Sequence, residues 1–574
     1  MLDTTLASTI TPGTNVKGEV SGANWSYLLP RLHLEQTVCL GAPRPTTLIT
    51  LSRLSEAVVV VCANPRQMRK VQEAGQRAGL TNVHLLTADR HGTLPVTGGS
   101  VDLILLADRS GVRRLRRDDT LLTQIERWLK PDGLIYFEFG GPLEGLLDGG
   151  VLNGLAERLP APQLFSLTPV SGEMRTAVLA DDAEALRYFW RHSLYSPSIR
   201  VPGFGRVGRF LSRHPVTRLF AQRYAVLAGH SAARPGGAPP QYLRSIAQAA
   251  GVDISMHRWG LAALGRFTSR KVLVYLFPQT SALPEYIVKI TRDPAYNSRL
   301  ENAHRALLLL HDKGIGDREI LPQAAFFGLH GGLAILGERV IEGAPFRGQT
   351  TATADCPYAR NAIDWLIELG AVTANRGAAT PRQVAEGLET LLQRFTQIYR
   401  LAPAHRDFLM GQLALIARSD TAFPLVFQHG DPGTWNILVT RSGRAAFLDW
   451  EAAEPQGLPL WDLFYFIRSF GMWVSRANGS DNALENFSQH FFAESALGAT
   501  LIDATQRYCG QTGLAGELVG PLFYTCWMHR ALKEATRLPL SRLEKGHYVN
   551  LLRQCIDQQD APTLRRLFSI SSKD

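Results

Sequence analysis

Residues 423–466 read FPLVFQHGDPGTWNILVTRSGRAAFLDWEAAEPQGLPLWDLFYF. Two strand-like runs, 436–440 and 444–450, are separated only by a short polar stretch. A two-residue turn at Ser442 and Gly443 would join them as a β-hairpin, because a glycine in such a turn supports the backbone twist that hairpins need. The turn would also fix which residues of the two strands lie opposite each other.

In that register Asn436 and Asp449 would face each other on the same side of the hairpin. An amide oxygen and a carboxylate suit Mg²⁺, which prefers oxygen ligands and keeps waters that nucleotide phosphates can replace. Asp431 lies five residues before Asn436, in the preceding loop. The pattern predicts a magnesium site with Asp431 beside it as the base or orienter of a hydroxyl group.

The order H-G-D-x-x-x-x-N, followed by an Asp, resembles the aminoglycoside phosphotransferase and choline kinase family, which has the protein-kinase-like fold. The resemblance implies that Asp431 is the catalytic residue and that Asn436 and Asp449 bind the metal. It implies structural support of the loop by His429 and Asp462. The cofactors it implies are ATP and Mg²⁺.

Upstream, the runs 270–277 and 285–290 are typical of two antiparallel strands. Lys289, inside the second run, is the candidate for binding the α- and β-phosphates, as the resemblance implies. We expect Glu301, at the start of the next helix, to pair with Lys289. The alternative for Glu301 is a capping box with Ser298.

The run 331–338 predicts another strand, which would lead to a hinge between two lobes. By the resemblance, the backbone around Glu338 and Val340 would contact adenine. The expected nucleotide-covering loop has no G-x-G-x-x-G motif and offers only Gly260 and Gly265. The helix-rich remainder of the chain suits a helical C-lobe.

In the N-terminal third, strand patterns alternate with helix patterns, which indicates a doubly wound parallel sheet. The strands are predicted at 37–41, 57–63, 83–88, 101–107 and 133–139, and the helices at 46–54, 65–79 and 120–129. With the phrase LKPDG before the last strand, residues 34–141 resemble the class I S-adenosylmethionine-dependent methyltransferases. The predicted fold class is therefore α/β plus α+β: a Rossmann-like sheet followed by a bilobal protein-kinase-like fold.

The methyltransferase cofactor motif is degraded in this chain. The turn after the first strand keeps one glycine, Gly41, and contains two prolines, which restrict the backbone. The second strand ends in Cys62-Ala63-Asn64, without the carboxylate that the family uses for the ribose. The pattern favours a remnant of an S-adenosylmethionine site, with Gly41 and Asp89, over an active one.

Positive charge is concentrated in one part of the chain. Lys and Arg number 61 against 51 Asp and Glu, and residues 186–252 contain no acid. Three interpretations are open: an interdomain connector, a surface at 200–230 that contacts an anionic membrane, and a patch that binds nucleic acid. The connector is favoured, and nucleic-acid binding is disfavoured. The predicted domains are 1–185, 186–245, 246–343 and 344–574.

Composition excludes several classes of protein. With 45% apolar and 20% charged residues the chain is not predicted to be disordered, and no apolar run is long enough to span a membrane. The six cysteines are too scattered for a zinc site or a disulfide framework. The first residues lack a signal-peptide pattern, so we expect a cytoplasmic protein, with peripheral attachment to the inner membrane face as an alternative.

The segment after Asp449 is too short for the activation segment of a protein kinase. We therefore expect γ-phosphate transfer to a hydroxyl of a small molecule, sugar or glycan. The alternatives are a bifunctional methyltransferase/kinase that modifies a polysaccharide and a non-catalytic two-domain scaffold. Nothing in the sequence indicates the oligomeric state.

Overall fold

A computed structural model describes residues 23–87, 96–107, 112, 119–140, 158–168, 173–194, 223–229, 237–263, 271–351 and 353–570. The described residues form two compact units. The sheet unit holds those of 18–300 and 324–340, and the helical unit holds those of 301–323 and 341–574. The domain boundaries predicted from the sequence stay predictions.

The sheet unit begins with five parallel strands in the order β3-β2-β1-β4-β5. The predicted alternation of strands and helices is confirmed. Runs such as the four consecutive valines of β2 form buried strands because both faces of a parallel sheet are covered. The elements are β1 Leu34–Leu40, α1 Pro45–Leu54, β2 Ser55–Cys62, α2 Pro65–Arg77, β3 Val83–Thr87, β4 Val101–Leu106, α3 Asp119–Trp128 and β5 Leu129–Phe139.

Antiparallel strands extend this sheet beyond β5 to a total of thirteen. The full order is β12-β13-β11-β10-β9-β7-β6-β8-β5-β4-β1-β2-β3. The further elements are β6 Gln163–Thr168, β7 Thr176–Leu179, α4 Ala183–Phe189, β8 Arg223–Ala228, α5 Gln241–Ala249, β9 Arg258–Ala262, β10 Lys271–Phe277, β11 Tyr286–Thr291, β12 Gln323–His330 and β13 Leu333–Arg339.

The methyltransferase-like strands and the kinase-like strands are therefore parts of one sheet. The joint is the antiparallel pair β7–β9, in which Val178 lies opposite Gly260. A β-carbon on Gly260 would lie 2.6 Å from the Phe189 ring, so glycine is needed for α4 to pack here. The pairing removes what would otherwise be two exposed sheet edges.

Part of the segment predicted as a basic linker belongs to the sheet. Strand β8 lies between β5 and β6, and Arg223 pairs with the Glu138 carboxylate of β5. Residues 195–222, which carry most of the proposed membrane-binding stretch, lie outside the described residues. Contact with an anionic membrane stays a prediction.

The helical unit contains small strands and a large group of helices, as the sequence predicts for a kinase-like C-lobe. Its core is apolar and aromatic, with Trp527, Phe464 and Leu522 fully buried. The elements are most of α6 Asn297–Asp312, then β14 Gly343–Pro345, α7 Phe346–Gln349, α8 Pro357–Thr373, α9 Pro381–Ile398, α10 Pro403–Ala417, β15 Val426–Gln428, β16 Ile437–Thr440, β17 Ala445–Phe447, β18 Glu454–Gly457, α11 Trp461–Ala477, α12 Ala483–Phe491, α13 Ala496–Thr512, α14 Val519–Ala535, α15 His547–Asp557 and α16 Pro562–Phe568.

The predicted fold class is confirmed: a doubly wound sheet is followed by kinase-like strands and a helical C-lobe. Among the described residues, no helix combines the length and the apolar character that a membrane crossing requires.

Candidate active site

The loop between β15 and β16 carries Asp431 and is held by Asp462 at the start of α11. The Asp462 carboxylate accepts hydrogen bonds from the backbone N–H groups of His429, at 2.6 Å, and Gly430, at 3.2 Å. Burial raises the pKa of Asp462. One carboxylate in the first turn of α11 thus accepts from two backbone N–H groups of the loop, which fixes the loop at the residues just before Asp431.

Gly430 is a position where only glycine fits. Its φ is +77°, and a β-carbon there would lie 1.9 Å from the carbonyl oxygen of Ala452. The loop thus passes in direct contact with the segment that follows Asp449.

The imidazole of His429 connects the two segments that carry the predicted catalytic residues. Its Nε2–H donates to the Leu448 carbonyl at 2.9 Å, and its Nδ1 accepts from the Asp431 N–H at 3.2 Å. These partners require one neutral tautomer. Burial lowers the pKa of His429, while the carboxylates of Asp462, Asp431 and Asp449 oppose that effect. All three acidic side chains therefore lie near this one ring, as the predicted supporting role of His429 requires.

The structure brings Asn436 and Asp431 into direct contact. The Asn436 Nδ2 donates to the backbone oxygen of Asp431 at 3.0 Å and to its carboxylate at 3.3 Å. Because the amide nitrogen is used in this way, the orientation of the amide is fixed. Within the described part of the chain no donor contacts Asn436 Oδ1, so that oxygen is available for a cation.

The predicted hairpin register is wrong by one residue. Ile437 pairs with Phe447, so Asn436 lies opposite Leu448, whose N–H donates to the Asn436 oxygen at 2.8 Å. The connecting loop has three residues, and the last, Gly443, has a φ of +84°. A three-residue loop that ends in a left-handed glycine is a common hairpin type, and Ser-Gly fits it as well as it fits the two-residue turn.

Asp449 follows directly after the hairpin pair and has a left-handed backbone, with φ 71° and ψ 64°. This conformation costs a residue other than glycine of order 1–3 kcal/mol, and such residues cluster at functional sites. The next residue, Trp450, is buried against the ring of His429 at 4.4 Å between ring centroids. The strained backbone is therefore held by packing at the residue that follows.

The side chains of Asn436 and Asp449 carry oxygen donors of the chemical type that Mg²⁺ prefers. Asn436 Oδ1 and the Asp449 carboxylate are the two candidate ligands. No group of three or more His, Cys, Asp or Glu side chains suited to a metal ion occurs among the described residues. A site with one carboxylate and one amide is typical of Mg²⁺ that keeps waters and takes further oxygens from phosphates.

Lys289, in the sheet unit, has one partner that the sequence analysis did not predict. Its ammonium group donates to the Glu338 carboxylate at 2.6 Å, and both side chains are buried. On strands β11 and β13, Lys289 lies opposite Leu336 and Ile287 opposite Glu338, so the ion pair is a diagonal cross-strand pair. The Glu301 side chain is exposed on α6, and its predicted pairing with Lys289 stays a prediction.

The predicted hinge is partly occupied by the sheet's own hydrogen bonds. The N–H of Val340 donates to the Glu285 oxygen at 2.8 Å. Because the Val340 N–H is used in this way, only the carbonyl group of the Val340 backbone is left for the predicted contact with adenine. The carboxylate of Glu338 holds Lys289, a role that the sequence analysis did not assign to it.

Two cationic residues beside the loop were missed by the sequence analysis. Arg530, on α14, is 5% exposed and places Nη1 3.5 Å from the Asp431 carboxylate. Lys533, one helical turn further, donates to the Gly430 oxygen at 3.2 Å, and burial lowers its pKa. The available signal was two cations three residues apart in the largely apolar helix 519–535.

In the methyltransferase-like part, Gly41 follows β1 with a φ of +93°. Its N–H donates to the Val61 oxygen at 2.9 Å, which places the turn at the carboxyl ends of the parallel strands, where such sheets bind ligands. Asn64, in place of the family's acid, caps α2 by accepting from the Gln67 N–H at 3.0 Å. Asp89 lies outside the described residues.

Comparison with protein families agrees with both parts of this description. Residues 266–497 match the phosphotransferase enzyme family, and residues 39–137 match the methyltransferase domain family. The chain joins a methyltransferase-family domain to a phosphotransferase-family domain. The phosphotransferase-family domain marks it as a kinase-type enzyme. No curated protein sequence is similar enough to the chain to count as a match.

Several solved structures resemble parts or most of this chain. The bifunctional kinase-methyltransferase WbdD is 12% identical over 92% of this chain and 89% of its own, with a TM-score of 0.23. An S-adenosylmethionine-dependent methyltransferase from Aquifex aeolicus is 15% identical over 26% of this chain and 88% of its own, with a TM-score of 0.20.

The YcgJ protein from Bacillus subtilis is 22% identical over 21% of this chain, with a TM-score of 0.16. The match spans about half of the YcgJ chain, 51%. TM-scores this low do not establish a shared fold, so the assignment of both domains rests on the two family matches.

Proposed function

We propose that this protein is a Mg·ATP-dependent phosphotransferase whose acceptor is a hydroxyl group of a small molecule, sugar or glycan. The observation that carries the proposal is the contact of Asn436 with Asp431 in a loop fixed by Asp462, next to the left-handed Asp449. An acid, an amide and a second acid in this arrangement are what phosphoryl transfer needs.

In the proposed reaction, the acceptor oxygen forms a bond to the γ-phosphorus and the bond from that phosphorus to the ADP oxygen breaks. The hydroxyl proton passes to the Asp431 carboxylate, which also orients the acceptor. Asn436 and Asp449 would hold Mg²⁺, which neutralises charge on the phosphates. Lys289 is assigned to the α- and β-phosphates by its match to the family motif.

The test is phosphate transfer from γ-labelled ATP to a panel of hydroxylated metabolites and glycans. We expect Asp449→Asn to abolish turnover and Asp431→Asn to lower kcat by about 10²- to 10⁴-fold. Asp420→Asn, an exposed acid in the same unit, is the matched control and should leave kcat unchanged. Wild-type turnover in both site variants would refute the assignment.

A bifunctional methyltransferase/kinase is the second candidate. The family match of residues 39–137 and the left-handed turn at Gly41 favour it. Calorimetry of the full chain with S-adenosylmethionine tests it, with Gly41→Val as the variant that blocks the turn. Micromolar binding that the variant loses would support this function, and no binding by the wild type would leave the domain a structural role.

A further inference from the structure

A group of arginines and aromatic rings lies beside the loop that carries Asp431. Arg347, on α7, donates through Nε to the Thr434 hydroxyl of that loop at 3.0 Å. Its guanidinium group lies 5.3 Å from the ring centroid of Trp435 and 5.6 Å from that of Trp473. Burial, together with the nearby charge of Arg476, lowers the pKa of Arg347.

Arg468, on α11, is a second buried cation in this group. Its side chain is 6% exposed, and it donates to the Tyr548 hydroxyl at 3.1 Å and to Nε2 of His547. Burial and the charges of Arg468 and Arg476 lower the pKa of His547 to about 3, so that ring is neutral at physiological pH. The Nε of Arg468 is buried and has no hydrogen-bond partner among the described residues.

Aromatic contacts connect these arginines to the proposed catalytic residue. Trp435 lies between Asp431 and Asn436 in the loop, is 48% exposed, and packs edge-on against Tyr465 at 6.1 Å. The ring of Tyr465 also contacts the guanidinium group of Arg530, at 3.4 Å, which itself reaches Asp431. Tyr548 completes the path to Arg468, because its ring lies 6.3 Å from Tyr465.

The charges of Arg347 and Arg468 are not balanced by carboxylates of the described residues. Across the part of the chain that the structure describes, no carboxylate lies within ion-pair distance of Arg347 or Arg468. Arg476 has one, Asp481, at 3.8 Å. Burying a cation without a counter-charge is costly, and the cost is recovered when an anion binds there. An arginine fork is also the preferred partner of phosphate and carboxylate groups.

We infer that the acceptor is an anionic hydroxyl compound, a sugar or glycan end that carries a phosphate or carboxylate group bound by Arg347 and Arg468. The exposed ring of Trp435 offers a face for the sugar next to Asp431. This inference rests on the proposed phosphotransferase function and specifies its substrate class.

The test uses three probes that share one sugar: glucose, glucuronate and glucose 1-phosphate. Binding to the full-length protein is measured by calorimetry without nucleotide, and phosphate transfer is measured in parallel with labelled ATP. We expect the two anions to bind at millimolar concentration or better and glucose to bind about tenfold more weakly or not at all. The two anions together show whether phosphate or carboxylate is preferred.

Arg347→Gln should weaken binding of the anions about tenfold and leave the weak binding of glucose unchanged. The matched control is Arg406→Gln, an exposed arginine on α10. Arg468→Lys keeps the buried charge, so it should fold and retain the preference for anions with reduced affinity. Circular dichroism confirms the fold of each variant.

The inference is overturned if neither anion binds, if glucose binds as well as they do, or if Arg347→Gln affects the three probes equally. The proposed phosphotransferase function is tested separately. It fails if no acceptor is phosphorylated, or if phosphorylation does not depend on Asp431. Anion binding that depends on Arg347 and persists in Asp431→Asn would support the anion site whatever the turnover result.

Discussion

At the scale of single residues, the site depends on positions where only one residue type fits. Gly430 combines a left-handed backbone with a carbonyl oxygen 1.9 Å from where its β-carbon would be. His429, beside it, needs one tautomer to hold both Leu448 and Asp431. These constraints fix the proposed catalytic carboxylate through its immediate neighbours.

We expect Gly430→Ala to lower the free energy of unfolding by about 2 kcal/mol or more and to abolish most of the activity, because the loop must move away from Ala452. Gly479→Ala is the control, since Gly479 has a φ of +92° with no atom near its β-carbon position. It carries the backbone cost without the clash. Chemical denaturation and kcat measure both effects, and equal losses in the two variants would argue against the close contact.

His547 makes the stability of the helical unit depend on pH. Its folded-state pKa of about 3 lies below the value in an unfolded chain. The unfolded chain therefore binds more protons between these values, and stability is lost as pH falls through that range. We expect His547→Gln to remove about 2 kcal/mol of the stability loss between about pH 7 and pH 5. Denaturation at both pH values measures it, and an unchanged pH slope would contradict it.

At the scale of elements, the sequence predicted strands and helices well and their registers less well. Hydrophobic periodicity identified β10 and β11 because it depends only on local alternation. The turn after β16 could not be typed from Ser-Gly alone, and one residue of error moved Asp449 out of the predicted position opposite Asn436. Arg530 was missed because its contact with Asp431 joins elements about 100 residues apart, which spacing cannot show.

The register of β11 and β13 also brings the Glu338 carboxylate to Lys289. Breaking this buried pair from one side removes the carboxylate charge beside the Lys289 ammonium group, so Glu338→Gln should destabilise the protein by about 3 kcal/mol or more. The double variant Lys289→Met with Glu338→Gln should be more stable than Glu338→Gln alone, because a buried ammonium group that has lost the Glu338 charge costs more than an apolar side chain. Thermal unfolding compares the two. If the double variant were the less stable one, the pair would not be the dominant contact of Lys289.

At the scale of the whole molecule, the strands that match the methyltransferase family and those that match the phosphotransferase family form one continuous sheet in the sheet unit. They are therefore not separate domains there. Phe165 of β6 and Trp259 of β9 pack with ring centroids 5.6 Å apart, across the β7–β9 joint. Residues from both families, such as Leu103 and Val274, share one hydrophobic core. The sequence does not reveal the β7–β9 pairing, because the strand pattern of each family can be recognised without the strands of the other.

A shared core and a continuous ladder predict that the two halves of the sheet unfold together. Gly260→Leu would force a side chain into the Phe189 ring and should destabilise the joint by about 1–3 kcal/mol. In hydrogen exchange of the full chain, we expect this variant to lose protection in both β4 and β11, because each half loses the edge partner that covers it. Gly75→Ala, on α2 with open space around its β-carbon position, is the control and should leave both strands protected. If only the strands on one side of the joint exchanged faster, the halves would be independent folding units, and the methyltransferase-like domain would not be needed to hold the lobe that carries Lys289.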